Sequence, residues 1–139
     1  MPDLYHRDQR SLEDDIQELR QTYEVDTVVT LLEDRELEVM CCQSMPSVVA
    51  ANQIEWLHFP IRDKWIPHNT EKFLQSCVRP IAKKLRAGKR ILVHCNGGKG
   101  RTGTVVGAVL MTDIVAGGNA HRKVIHIAFI YVHIVIAYT

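Results

Sequence analysis

The sequence predicts an α/β fold, a three-layer sandwich in which a mostly parallel central sheet lies between flanking helices. Three observations lead there. Short apolar, β-branched runs at 25–32, 54–61 and 90–94 are separated by segments of helical periodicity. The third run passes through a loop with four glycines in ten residues, "HCNGGKGRTG" (94–103), and directly into another helical segment. The chain has 139 residues, 46% apolar and 24% charged, which suits one globular domain with a modest core.

The elements follow in order. Ser11 with Asp14 resembles a capping box in which Asp replaces the usual Glu or Gln. Leu12, Ile16, Leu19 and Tyr23 then recur at helical spacing, so a helix is expected over about 12–22. "VDTVVTLL" (25–32) reads as a buried strand. Residues 34–53 carry short helical patterns broken near Pro46. "IEWLHFPI" (54–61) alternates and then meets Pro60, which marks a second strand. Asn69 or Thr70 can cap the next helix, whose buried face is Phe73, Cys77, Ile81 and Leu85. Pro80 should kink that helix and Gly88 should end it. "RILVH" (90–94) is the third strand, and a helix over about 101–116 follows, closed by Gly117 and Gly118. The last stretch, 124–139, has no charge and 13 apolar residues of 16, too short for the ~20 that a membrane helix needs.

Net charge is only +1, but it is divided. Residues 1–60 hold 4 basic and 13 acidic side chains (−9), and residues 61–139 hold 13 basic and 3 acidic (+10). The glycine loop lies in the basic part, which favours an anionic ligand. The four cysteines, Cys41, Cys42, Cys77 and Cys95, show no zinc-ligand spacing. The N-terminus, MPDLYHRDQR, lacks the apolar core of a signal peptide. Free thiols and a cytoplasmic location, with the nucleus as an alternative, are expected.

A glycine-rich loop between a strand and a helix turns backbone N–H groups towards one point, and the helix N-terminus adds partial positive charge. Phosphate and sulfate bind at such places. Gly97, Gly98 and Gly100 allow the tight curl, and Arg101 supplies a planar fork for two phosphate oxygens. Positive charge beside Cys95 favours the thiolate, which would be a nucleophile in place against a bound phosphorus atom. Two other glycine-loop patterns fail. The nucleotide P-loop needs G-x-x-x-x-G-K-S/T, but Gly98-Lys99 is followed by Gly100. The dinucleotide pattern G-x-G-x-x-G would start at Gly98, yet no acidic residue stands about twenty positions on.

His94-Cys95-Asn96-Gly97-Gly98-Lys99-Gly100-Arg101-Thr102-Gly103 resembles the H-C-x-x-G-x-x-R-S/T-G signature of cysteine-dependent protein tyrosine phosphatases. It is most similar to the dual-specificity branch, and there to phosphatases associated with cyclin-dependent kinases. Arg10 to Leu19, the strand at 25–32 and "FPIRD" (59–63) stand in the order such domains use, so the likeness covers about 2–116.

The resemblance implies hydrolysis of phosphotyrosine and phosphoserine/threonine in proteins through a phosphocysteine. It implies that Cys95 is the nucleophile. Arg101 and the backbone of Asn96, Gly97, Gly98, Lys99 and Gly100 would hold the phosphoryl oxygens. Thr102 would hydrogen-bond the sulfur, and His94 would brace the loop. Asp63, 32 residues before Cys95, would be the general acid and then the base for the hydrolytic water. No cofactor or metal is expected. The expected partner is a phosphorylated protein, a kinase among the candidates, with no nucleic acid and no membrane span.

The resemblance also has limits. Such domains carry more strand before the point where this chain begins, two further helices after the loop helix, and often a glutamine that positions water. No glutamine follows Gln75. The fold is therefore expected to be incomplete at both ends. A catalytic domain over 1–118 and an atypical apolar segment over 119–139, unprotected and prone to aggregation, are expected. "GGKGRTG" is also close to the loop of tensin-related lipid phosphatases, although those have a lysine where Asn96 stands. A phosphoinositide phosphatase, and a phosphoprotein-binding variant without turnover, are the alternatives.

Overall fold

A computed structural model describes residues 12–62, 67–96, 100–115, 117, 124–128 and 133–137. Three parallel strands form the centre: β1 (Thr27–Thr30), β2 (Glu55–His58) and β3 (Ile91–His94). β1 pairs with both of the others, Thr30 standing opposite His58 on one side and His94 on the other. Two antiparallel strands, β4 (Val124–Ala128) and β5 (His133–Ala137), extend the sheet in the order β2-β1-β3-β5-β4. The last residues were expected to be an unprotected extension. Within them the backbone of β5 instead pairs with β3, whose free edge would otherwise leave a row of unpaired amides and carbonyls, and β4 pairs with β5.

Helices cover both faces. α1 (Leu12–Gln21), α2 (Asp34–Val39) and α3 (Met45–Ala51) bring Leu12, Ile16, Leu37 and Val49 against Val28 and Leu92. On the other face, α4 (Thr70–Phe73), α5 (Arg79–Arg86) and α6 (Gly100–Val115) bury Phe73, Ile81, Leu85, Val105 and Val109 against Val29, Ile91 and Val93. All four residues of β1 and of β3 are buried, so these runs carry Val, Ile and Leu on both faces of the sheet rather than alternating with charged residues. Cys77 lies in this core, and burial pushes its thiol up to about 12. The Arg86 guanidinium stands 3.7 Å from buried Asp113 and ties α5 to α6.

Local chemistry explains the boundaries. Asn69, rather than Thr70, caps α4, accepting from the Lys72 amide at 2.9 Å. Pro80 was expected to kink the helix. The chain widens into a π-helical turn over Leu74–Val78, and the helix continues through α5. Proline has no N–H to donate and its ring crowds the carbonyl four residues back; a widened turn relieves both. Gly88, at φ +82°, ends α5 as expected.

Candidate active site

β3 ends at His94, and Cys95 is the first residue beyond it, on the α5–α6 face of the sheet and 1% exposed. α6 starts only five residues later, so its first turn returns to the end of β3. That return brings Thr102 Oγ1 to 3.0 Å from Cys95 Sγ, where the hydroxyl donates to the sulfur. Thr102 is wholly buried. A hydroxyl donor held on the sulfur stabilises charge there, and does so without solvent rearrangement.

Arg101, 3% exposed, is held by two elements. Its Nη1 donates to Glu36 Oε2 at 2.7 Å and to the Ile61 carbonyl at 2.9 Å, and its Nη2 donates to Glu36 Oε1 at 2.8 Å. This is the planar two-on-two pairing that only guanidinium offers. Glu36 is itself fixed, since its Oε2 accepts from the Glu33 amide at 2.8 Å in the first turn of α2. Burial alone would raise the Glu36 carboxyl. The hydrogen bonds from Arg101 and Glu33, with the charges of Arg101 and Arg35, outweigh it and hold the carboxyl below its usual 4.5. Ile61 is reached because its amide donates to the Leu31 carbonyl, which draws the segment after β2 across the end of β1.

His94 points to the opposite face of the sheet from Cys95. Its Nε2 lies 2.7 Å from Thr30 Oγ1, and that oxygen also accepts from Trp56 Nε1 at 2.7 Å. Burial, then the charges of His58 and Arg101, push the imidazole down to about 4, so it is neutral in the fold at pH 7. His58 donates through Nε2 to the Leu32 carbonyl at 2.6 Å and stacks on Trp56 with ring centres 4.8 Å apart.

A buried cysteine at the end of a central strand, capped by a threonine and followed by a clamped arginine, invites comparison with known proteins. Residues 3–126 match the family model described as Swiss Army Knife protein, DSP-PTPase phosphatase domain (PTP-SAK). The chain belongs to this family of dual-specificity phosphatase domains. A protein of Invertebrate iridescent virus 3, provisionally named tyrosine phosphatase 067L, is 38% identical over 68 residues, 46% of this chain and 28% of the viral one. A crystal structure of kinase-associated phosphatase, with serine in place of its catalytic-site cysteine, superposes with a TM-score of 0.67. That match has 22% identity and covers 81% of this chain and 62% of the other. It carries the same α/β architecture. The chain thus spans about a quarter of the viral relative and under two thirds of the solved one.

Within this phosphatase domain, the described part of the site joins Cys95 to Thr102 directly, with Arg101 beside Thr102 at the start of α6 and His94 one residue before the cysteine. Asn96 and Gly100 are exposed and flank the loop. Gly97, Gly98, Lys99 and Asp63 lie outside the described residues. Arg62, the last described residue before Asp63, follows the Ile61 carbonyl that receives Arg101. Glu36, Thr30 and Trp56 were not foreseen as site residues. Glu36 is one of 13 acids in the first 60 residues, and nothing local marks it beyond its Glu33-x-x-Glu36 cap.

Proposed function

We propose that this domain is a protein phosphatase that releases phosphate from phosphotyrosine and phosphoserine/threonine through a phosphocysteine. The Cys95 thiolate attacks phosphorus, the bond to the leaving oxygen breaks, and Asp63 gives that oxygen its proton. Water then attacks the phosphocysteine, Asp63 takes the proton back, and phosphate and thiolate separate. Thr102 stabilises the sulfur as it leaves. In this reading Glu36 occupies the Nη1/Nη2 edge of Arg101, and the Nε/Nη2 edge holds phosphoryl oxygens along with the loop amides. Asp63 fits its role because a serine or threonine alkoxide leaves badly without a proton.

The observation that carries the reading is the 3.0 Å hydrogen bond from Thr102 to the Cys95 sulfur. A purely structural cysteine in an apolar core has no use for a buried hydroxyl aimed at it. Family membership supports the same chemistry. The kinase-associated phosphatase likeness makes phosphoproteins the first substrates to try, and kinases among them. Among the described residues no helix is long and apolar enough to cross a membrane.

Phosphate release from phosphopeptides, an aryl phosphate and inositol lipids tests it. The expected result is turnover of phosphopeptides, abolished in Cys95→Ser while the ligand still binds. Turnover of inositol lipids alone would move the substrate class, and undiminished turnover by Cys95→Ser would dismiss Cys95 as nucleophile.

A further inference from the structure

His94, Thr30 and His58 stand on one rung at the carboxyl ends of the three parallel strands, with Trp56 two residues before His58 on the same face. The hydrogen-bond chemistry of this row has one favourable solution. Indole Nε1–H can only donate, so Thr30 Oγ1 must accept from Trp56. The hydroxyl has one proton of its own. It can donate to His94 Nε2, or it can accept a second time, from an Nε2–H. In the second case the hydroxyl proton needs another acceptor. Thr30 is 0% exposed, and among the described residues its hydroxyl has only these two hydrogen-bond partners. An unpaired buried hydroxyl costs about 1–3 kcal/mol. The first arrangement avoids that cost.

Resting on the phosphatase reading of the site, we propose that Trp56 and Thr30 are positioning residues for Cys95, a directed relay that fixes His94 as its Nδ1–H tautomer. Trp56 donates to Thr30, and Thr30 donates to His94 Nε2. The imidazole proton is thereby placed on Nδ1, the nitrogen nearer the backbone that runs into the Cys95 loop. The ring is also held in one orientation, one residue before the nucleophile. Stacking on His58, which is anchored on the Leu32 carbonyl, keeps the indole in place. The burial and neutrality of His94 agree with this, since a neutral ring leaves one nitrogen able to accept the Thr30 proton.

Nuclear magnetic resonance of nitrogen-labelled histidine in the full chain reads the tautomer directly. The wild type should show His94 with Nε2 unprotonated and Nδ1 protonated. Thr30→Val keeps the shape and loses the hydroxyl. It should mix the tautomers and lower kcat on an aryl phosphate by about 10- to 100-fold, with KM within about twofold, as for a misplaced but still present nucleophile. Thr30→Ser should restore both tautomer and kcat. Trp56→Phe, which keeps an aromatic ring and removes the donor, should give an intermediate mixture. If Thr30→Val does not fold, the wild-type tautomer and the Thr30→Ser and Trp56→Phe variants still decide. A wild-type proton on Nε2, or an unchanged kcat in a folded Thr30→Val, overturns the relay. A wild type that hydrolyses no phosphate ester overturns the phosphatase reading instead, and the spectrum alone then judges the tautomer.

Discussion

Arg101 concentrates the electrostatic risk of the molecule in one side chain. Its guanidinium is nearly wholly buried, and among the described residues the Glu36 carboxylate pairs with it at two atoms. Removing one member of a buried ion pair leaves the other charge uncompensated, which costs about 3–5 kcal/mol. Glu36→Gln keeps the shape but has one acceptor oxygen and no charge. It should lower stability to urea at pH 7 by roughly 3 kcal/mol, towards the lower end because Glu36 is partly exposed. A loss within about 0.5 kcal/mol would show that other groups compensate Arg101. This clamp was not legible in the sequence, although Arg101 was. A fixed spacing announces a loop arginine, whereas its partner sits 65 positions away on another element. Only the pairing of β1 with β3 brings the two ends together.

At the scale of elements, most boundaries were legible because they rest on local chemistry. Buried strands show as apolar runs, and Asn69 and Gly88 act through their own side chain or lack of one. The ends of α2 and α3 were less visible, because non-glycine residues occupy the left-handed position there. Cys41 has φ 56° and Gln53 φ 59°. In α3 the Ile54 amide donates to the Val49 carbonyl and the Gln53 amide to the Ala50 carbonyl, the same closure that α5 makes with Gly88. A side chain at such a φ costs about 1 kcal/mol that glycine avoids. Gln53→Gly should therefore raise stability by roughly 0.5–1 kcal/mol, seen as a higher midpoint in urea, with activity unchanged. A lower midpoint would mean that the Gln53 side chain contributes more than its backbone costs. The β4–β5 hairpin was not legible. An uncharged apolar stretch reveals that it wants burial but not which edge will receive it.

For the whole molecule, the divided charge acquires a meaning: Glu36, from the acidic half, clamps Arg101, from the basic half. Acid should undo the fold through two groups. His94 stands at about 4 in the fold against 6.5 when unfolded, so the unfolded chain binds its proton first. That stability is complete above pH 6.5 and is lost as pH falls towards about 4. The difference corresponds to on the order of 3 kcal/mol. The Glu36 contribution, from a lowered carboxyl, is present above 4.5 and lost as pH falls through its depressed value. Urea midpoints measured from pH 7.5 to 4.5 should hold down to about 6.5 and then fall, and a flat profile would mean that His94 takes up its proton as readily in the fold as in the unfolded chain. The central claim, that a phosphoryl group passes through Cys95, is tested most directly by quenching the enzyme during turnover of a labelled phosphopeptide and mapping the label. The label should lie on the Cys95 peptide and be absent in Cys95→Ser. Phosphate release with no label on Cys95, or with label on another residue, would contradict it.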